Sequence, residues 1–175
     1  MNYDEIIGFA KEKHGNQKRR GGELYFYHVK EVGELAKEIA YQMSDKYHFT
    51  EEEIELMQYA GFLHDTIEDT NTNYDHIMNI TNEKVAGWIA VLSNDKRLPK
   101  VLRREIYNNG IKNACIQIKI IKLADIYSNL IGIRGNEGEE WITAFKLKAQ
   151  DMLECLRAEL SDNLYYKKCE DIIRA

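Results

Sequence analysis

The segment GFLHDTIEDT, Gly61 to Thr70, sets His64, Asp65, Glu68 and Asp69 within six residues at the end of an apolar stretch. An adjacent histidine and aspartate offer a neutral nitrogen and an anionic oxygen, a mixed donor set suited to Mn²⁺, Fe²⁺ or Zn²⁺. Neighbouring residues lie about 100° apart on a helix, so near a helix end both can approach one ion, and Glu68 and Asp69 repeat those directions one turn later. An isolated His-Asp pair is more often capping or helix surface; what sets this one apart is its company. His28 follows the aromatics of YFYHVKEV at a helix start, and Asp125 lies inside the apolar IKLADIYSNL, where an unpaired carboxylate is costly and needs a partner. If three helices converge, His28, His64, Asp65 and Asp125 form a His₂Asp₂ set that holds a divalent ion and leaves positions for water and substrate. Asn129 falls four residues after Asp125, on the same helical face.

The elements that must position these residues read as helices throughout. The chain has one proline, Pro99, and long stretches repeat apolar residues at three- and four-residue steps, so the expected fold is all-α. A first helix is expected over residues 2–13, with Ile6, Phe9 and Ala10 inward and Gly15 just past its end. HVKEVGELAKEIAYQM, His28 to Met43, places Val32, Leu35, Ala36 and Ile39 on one stripe. The helix of TEEEIELMQYAGFLHD begins with Thr50 as N-cap and Glu53 as its capping-box partner. Shorter helices fit NYDHIMNI, NEKVAGWIAVLS and LPKVLRREIYN. The isoleucine-rich NACIQIKIIKLADIYSNLIGI invites a strand assignment, but its length and the Leu123, Ile126, Leu130 spacing favour a buried helix. Gly132, Gly135 and Gly138 mark a loop before helices at 139–158 and 161–173.

A chain of 175 residues accommodates one domain with a sizeable core, expected over 1–175. Cys115, Cys155 and Cys169 are an odd number with no CxxC pair, which fits a reducing, cytoplasmic setting. No apolar run approaches the roughly 20 residues of a membrane span, so no membrane partner is expected. The formal net charge of −5 argues against a nucleic-acid partner. Basic residues nevertheless gather in two islands, Lys18 to Arg20 and Lys96 to Arg104, which either hold a small anion or form solvated helix faces. Trp88 and Trp141 read as packing residues, His14 as a structural contact, and His48 and His76 as surface.

The order His28, His64-Asp65, Asp125 resembles the HD-domain phosphohydrolases, an all-helical, metal-dependent superfamily. Four blocks in order, KHGNQKRRGGELYFYH, GFLHDTIEDT, NDKRLPKVLRRE and IKLADIYSNL, are similar to the hydrolase domain of RelA/SpoT proteins, and most of all to stand-alone small alarmone hydrolases of the metazoan type, over about residues 5–150. The resemblance implies a single HD-domain helical bundle with a metal site between helices. It further implies hydrolysis of guanosine tetra- and pentaphosphate, (p)ppGpp, with loss of the 3′ pyrophosphate to leave GDP or GTP, and Mn²⁺ as the usual metal. By matching motifs, His28, His64, Asp65 and Asp125 are the metal ligands. Glu68 and Asp69 match the family's acidic pair, which positions or deprotonates the attacking water and assists the leaving group. Arg19 and Arg20 flank the nucleotide, Lys96, Arg103 and Arg104 offset the diphosphate, and Asn129 lies near ribose and phosphate.

The chain departs from the family pattern in four places. Val29 replaces a common proline, the loop before His28 is about two residues shorter, Ile126 stands where a basic residue often follows the third-block aspartate, and Phe145 aligns with a tyrosine. No segment resembles the synthetase that follows the hydrolase in long relatives, so only degradation is expected. Two other readings use the same residues: an HD phosphohydrolase acting on a 5′-monophosphate or NADPH, and a nucleotide-binding sensor without turnover.

Overall fold

The computed structural model describes residues 2–133 and 137–175. Gly135 of the expected glycine-marked loop lies outside them. The helices are α1 (Tyr3–His14), α2 (Tyr25–Tyr47), α3 (Glu51–Leu63), α4 (Thr66–Asp69), α5 (Tyr74–Ile80), α6 (Glu83–Leu92), α7 (Lys100–Lys112), α8 (Ile116–Ile131), α9 (Glu139–Leu160) and α10 (Leu164–Arg174). Among the described residues there is no strand, only an isolated antiparallel bridge between Lys18 and Leu24. The fold is all-α, as the periodicity implied.

The helix ends follow local side-chain chemistry. Asn2 and Asn82 cap α1 and α6 by accepting from the backbone N–H groups of Asp4 and Val85. Thr50 and Glu53 form the reciprocal capping box at α3. Pro99 stands just ahead of α7, where its missing N–H is no loss. The helix α2 begins three residues before His28, so this histidine sits in its first turn rather than at its start.

The helices α2, α3 and α8 pack on one another at the centre, with α1 and α6 over α3 and with α9 and α10 over α8. Met57, Phe62 and Leu63 of α3 and Ile120, Ile121 and Leu123 of α8 are fully buried. The isoleucines of α8 therefore serve a helix enclosed on most sides rather than a strand.

One close crossing sets the distance between the two histidine-bearing helices. A Cβ on Gly61 would lie 2.6 Å from the Cα of Gly33, and one on Gly33 would lie 2.2 Å from the Phe62 ring. The backbones of α2 and α3 thus touch where neither residue has a side chain, one turn before His64. Gly61→Ala is expected to destabilise the protein by about 1–3 kcal/mol through overpacking, because the obstructing atoms are backbone and cannot rotate away. Denaturant unfolding of the metal-free protein measures this, and an unchanged midpoint contradicts the crossing.

Candidate active site

His64 and Asp65 lie at a helix end, as expected, but Glu68 and Asp69 one turn later stand on a separate short helix. The helix α3 stops at Leu63, His64 is its C-cap, and Asp65 bridges to the short α4 with φ −100° and ψ −1°. The break has a local cause. His64 Nδ1–H donates to the carbonyl of Gly61 at 2.8 Å, and the Thr66 hydroxyl donates to that of Leu63 at 2.7 Å. Two terminal carbonyls of α3 are thereby satisfied by side chains. The His64 bond also fixes its tautomer, leaving Nε2 as the bare nitrogen.

Four side chains from three directions meet there. His28 comes from α2, His64 and Asp65 from the end of α3, and Asp125 from α8. Nε2 of His28 lies 3.4 Å from Asp125 Oδ1 and 3.9 Å from Asp65 Oδ2. Nε2 of His64 lies 3.5 Å from Asp125 Oδ1 and 2.9 Å from Asp65 Oδ2. One ligand atom each from His28, His64 and Asp65 falls within a 4.8 Å sphere of mutual distances. Both Nε2 atoms are buried without a hydrogen-bond partner. Two imidazole nitrogens facing two carboxylates are stable only if positive charge lies between them. The electrostatics agree: burial pulls His64 down, but Asp65 and Asp125 together lift it well above its ordinary value. Burial pushes Asp125 up, yet Lys122 and the two histidines hold it well below the carboxylate range. The donor set and its demand for a cation fit a divalent metal.

Two residues supporting these carboxylates were not anticipated. Tyr25 donates its hydroxyl to Asp65 Oδ2 at 2.6 Å, and burial with the nearby Asp65 charge raises its own pKa far enough to keep it a donor. Lys122 donates to Asp125 Oδ2 at 2.8 Å, supplying the partner that a carboxylate in an apolar helix requires. The signals were present: tyrosine three residues before His28, lysine three residues before Asp125, each one turn away on the same face.

From Asp125 a polar chain leads outward. Asn129 donates its amide to Asp125 Oδ1, and Arg19 donates from Nη2 to Asn129 Oδ1 at 2.9 Å. Beyond it opens a cleft lined by Arg19, Arg20, Tyr25, Asn129, Trp141 and Phe145, among others. The Arg20 guanidinium sits 4.8 Å from the Trp141 ring, which stacks on Phe145 at 5.1 Å and an interplanar angle of 19°. Trp141, read from sequence as a packing residue, therefore presents an aromatic surface to the cleft. Trp88 is buried in the core, and His48 and His76 are exposed. A second groove shares Asn129 and Phe145 and reaches Lys122, Asp125, Ile126 and Lys148.

The acidic pair points to the second basic island. Glu68 Oε2 accepts from the backbone N–H and the side-chain amide of Asn94, at 2.9 and 3.1 Å. Asp69 accepts from Lys96 at 2.7 Å and from Gln17 at 3.4 Å, and Lys96 also donates to the Glu68 carbonyl at 3.0 Å. The rest of that island is elsewhere: Arg104 pairs with Asp151 of α9, and Arg103 lines a groove between α6 and α7 with Asp95, Ile106 and Tyr107. His14 is buried, hydrogen-bonded to Gln17 at 2.8 Å, and its ring faces Tyr25 at 5.0 Å.

The HD domain family matches residues 25–130. The guanosine-3′,5′-bis(diphosphate) 3′-pyrophosphohydrolase MESH1 of Danio rerio is 31% identical over 137 residues, covering 78% of this chain and 72% of the relative. MESH1 of Homo sapiens is 29% identical with the same coverage. Among solved structures, a metazoan ortholog of SpoT that hydrolyses ppGpp superposes with a TM-score of 0.77 at 24% identity, over 97% of this chain and 92% of that one. The protein lmo0812 of Listeria monocytogenes EGD-e gives 0.62 at 19% identity, over 87% and 95%. The structural matches establish the shared fold, and the family and sequence matches establish kinship: the chain belongs to the HD-domain family and, within it, to the group that contains the MESH1 proteins.

Proposed function

We propose that this protein is a metal-dependent alarmone hydrolase that removes the 3′ pyrophosphate of (p)ppGpp to leave GDP or GTP. The observation that carries the reading is the direct connection of the His/Asp centre to an arginine-lined cleft, Asp125 to Asn129 to Arg19, in a chain related to MESH1. A centre that binds a cation thus adjoins a surface suited to a polyanionic nucleotide.

His28, His64, Asp65 and Asp125 would hold the metal, with Mn²⁺ as the ion in this reading. When bound, a divalent ion there offsets charge on phosphoryl oxygens and makes water acidic enough to attack. Tyr25 and Lys122 hold the two carboxylates in orientation. Arg19 and Arg20 bind the nucleotide phosphates, since guanidinium forks match phosphate oxygens. The Trp141–Phe145 pair gives the base an aromatic surface, and Asn129 places the ribose and 3′ phosphate beside Asp125. Glu68, held through one oxygen by Asn94, positions or deprotonates the attacking water with the other. Asp69, paired with Lys96, assists departure of the 3′ oxygen, while Lys96 offsets charge on the diphosphate that the water attacks. Arg103 and Arg104, outside the cleft, contribute through the field that draws an anion toward it. The reading takes residues 1–175 as one HD hydrolase domain in a reducing cytoplasm, with Cys115, Cys155 and Cys169 as free thiols. No helix among the described residues is long and apolar enough to cross a membrane.

The test is to incubate the Mn²⁺-loaded protein separately with ppGpp, GMP, dGMP and NADPH and to identify the products. The reading expects GDP and pyrophosphate from ppGpp. Turnover of only a monophosphate or of NADPH assigns the centre to a different substrate, and a folded, metal-binding protein that turns over none of the four is a sensor rather than an enzyme.

A further inference from the structure

The two histidines of the centre are oriented by different means. His64 is set within its own helix end, through the Gly61 carbonyl. His28, 1% exposed, reaches across to α8, where its Nδ1 lies 2.9 Å from the hydroxyl of fully buried Ser128. The same hydroxyl is hydrogen-bonded to Glu31 Oε2. Ser128 has one proton to give. An ionised carboxylate only accepts, so the serine proton goes to Glu31, and Ser128 must accept from His28 Nδ1–H. The direction of the whole relay, His28 to Ser128 to Glu31, follows from this inventory.

The register explains why the relay exists at this place. Glu31 is three residues after His28 on α2, and Ser128 is three residues after Asp125 on α8, so each lies one turn beyond a residue of the centre. The relay therefore ties the α2 histidine to the turn of α8 that follows the aspartate, through a bond between residues 100 apart in sequence. We infer that Ser128 and Glu31 are positioning residues that lock His28 in the Nδ1–H tautomer with its Nε2 lone pair directed between Asp65 and Asp125. This rests on the reading of His28 as a metal ligand. Without the Ser128 hydroxyl, a buried Nδ1–H loses its acceptor, and the ring lowers that penalty by moving its proton to Nε2 or by rotating. Either response removes the lone pair from the centre.

Partners of this kind, hydrogen-bonded to a ligating histidine, typically change metal affinity by about 10–100-fold when removed. Ser128→Ala is therefore expected to weaken Mn²⁺ binding by that factor, measured by competition with a chelator, while Ser128→Thr, which keeps the hydroxyl, restores it. In the metal-free protein, ¹⁵N shifts of the His28 ring should report Nδ1–H in the parent and in Ser128→Thr, and a changed tautomer or orientation in Ser128→Ala. Thermal unfolding of each variant separates loss of fold from loss of the relay. If Ser128→Ala is folded and binds Mn²⁺ like the parent while His28→Ala does not, the relay is refuted and the ligand assignment stands. If His28→Ala also binds like the parent, the ligand assignment itself fails.

Discussion

Asp65→Ala is expected to lose metal and activity together. The carboxylate is one of four groups proposed to hold the ion, and its removal leaves His64 Nε2 without the nearest of its two anionic neighbours, the one at 2.9 Å. The loss should exceed the about 10–100-fold that follows removal of an outer partner of a ligand, and it should not be recovered by raising Mn²⁺ within a range that leaves the protein soluble. Metal stoichiometry after gel filtration and the initial rate on ppGpp, measured on one preparation, check the coupling. A variant that keeps its metal and loses only rate removes Asp65 from the ligand set. Tyr25, which donates to the same oxygen, provides an internal comparison: Tyr25→Phe should lower affinity less than Asp65→Ala, since it removes an orienting bond and leaves the ligand.

Glu68→Ala should give the opposite pattern, with metal retained and rate lost. Glu68 sits on α4, beyond the ligands, with Oε2 engaged by Asn94 and Lys96 at 3.7 Å from Oε1. A positioned general base contributes about 10²–10⁴-fold, and the loss in kcat should lie in that range with KM changed little. Equilibrium Mn²⁺ binding should match the parent. A rate near the parent's means that Glu68 serves the loop at Asn94 rather than the reaction.

The contrast between these two variants rests on the break between α3 and α4, which periodicity does not reveal. The apolar spacing of GFLHDTIEDT runs on as though one helix continued, but side chains of His64 and Thr66 take the backbone carbonyls of Gly61 and Leu63 and end it. That competition between side chain and backbone is local but conditional, because it depends on what the carbonyls would otherwise bind. Features decided by strong local chemistry were legible. The Thr50–Glu53 capping box, the placement of Pro99 and the apolar stripes of α2 and α8 follow from residue type and spacing alone. So did the need of Asp125 for partners, although Lys122 as one of them was not singled out. What stayed hidden involves residues far apart in sequence. Ser128 meets His28, and Trp141 meets Arg20, only after the bundle has closed. The basic island from Lys96 to Arg104 divides for the same reason: Lys96 precedes α7 and turns toward α4, while Arg104 lies on the helix face that meets α9.

The close approach of α2 and α3 through Gly33 and Gly61 adds a link between stability and chemistry. The atoms that make Gly61 intolerant of a side chain belong to Gly33 and Val32 of α2, and the carbonyl of Gly61 itself orients His64. Packing and ligand geometry are thus set by the same few residues, one turn before the centre.

Metal-dependent removal of the 3′ pyrophosphate is checked in a single reaction followed by product. Protein stripped with a chelator is mixed with ppGpp, and Mn²⁺ is then restored. No turnover is expected before the metal is added, and afterwards GDP and pyrophosphate should form in equal amounts. Release of orthophosphate, or an intact nucleotide in the presence of protein with bound metal, contradicts this assignment.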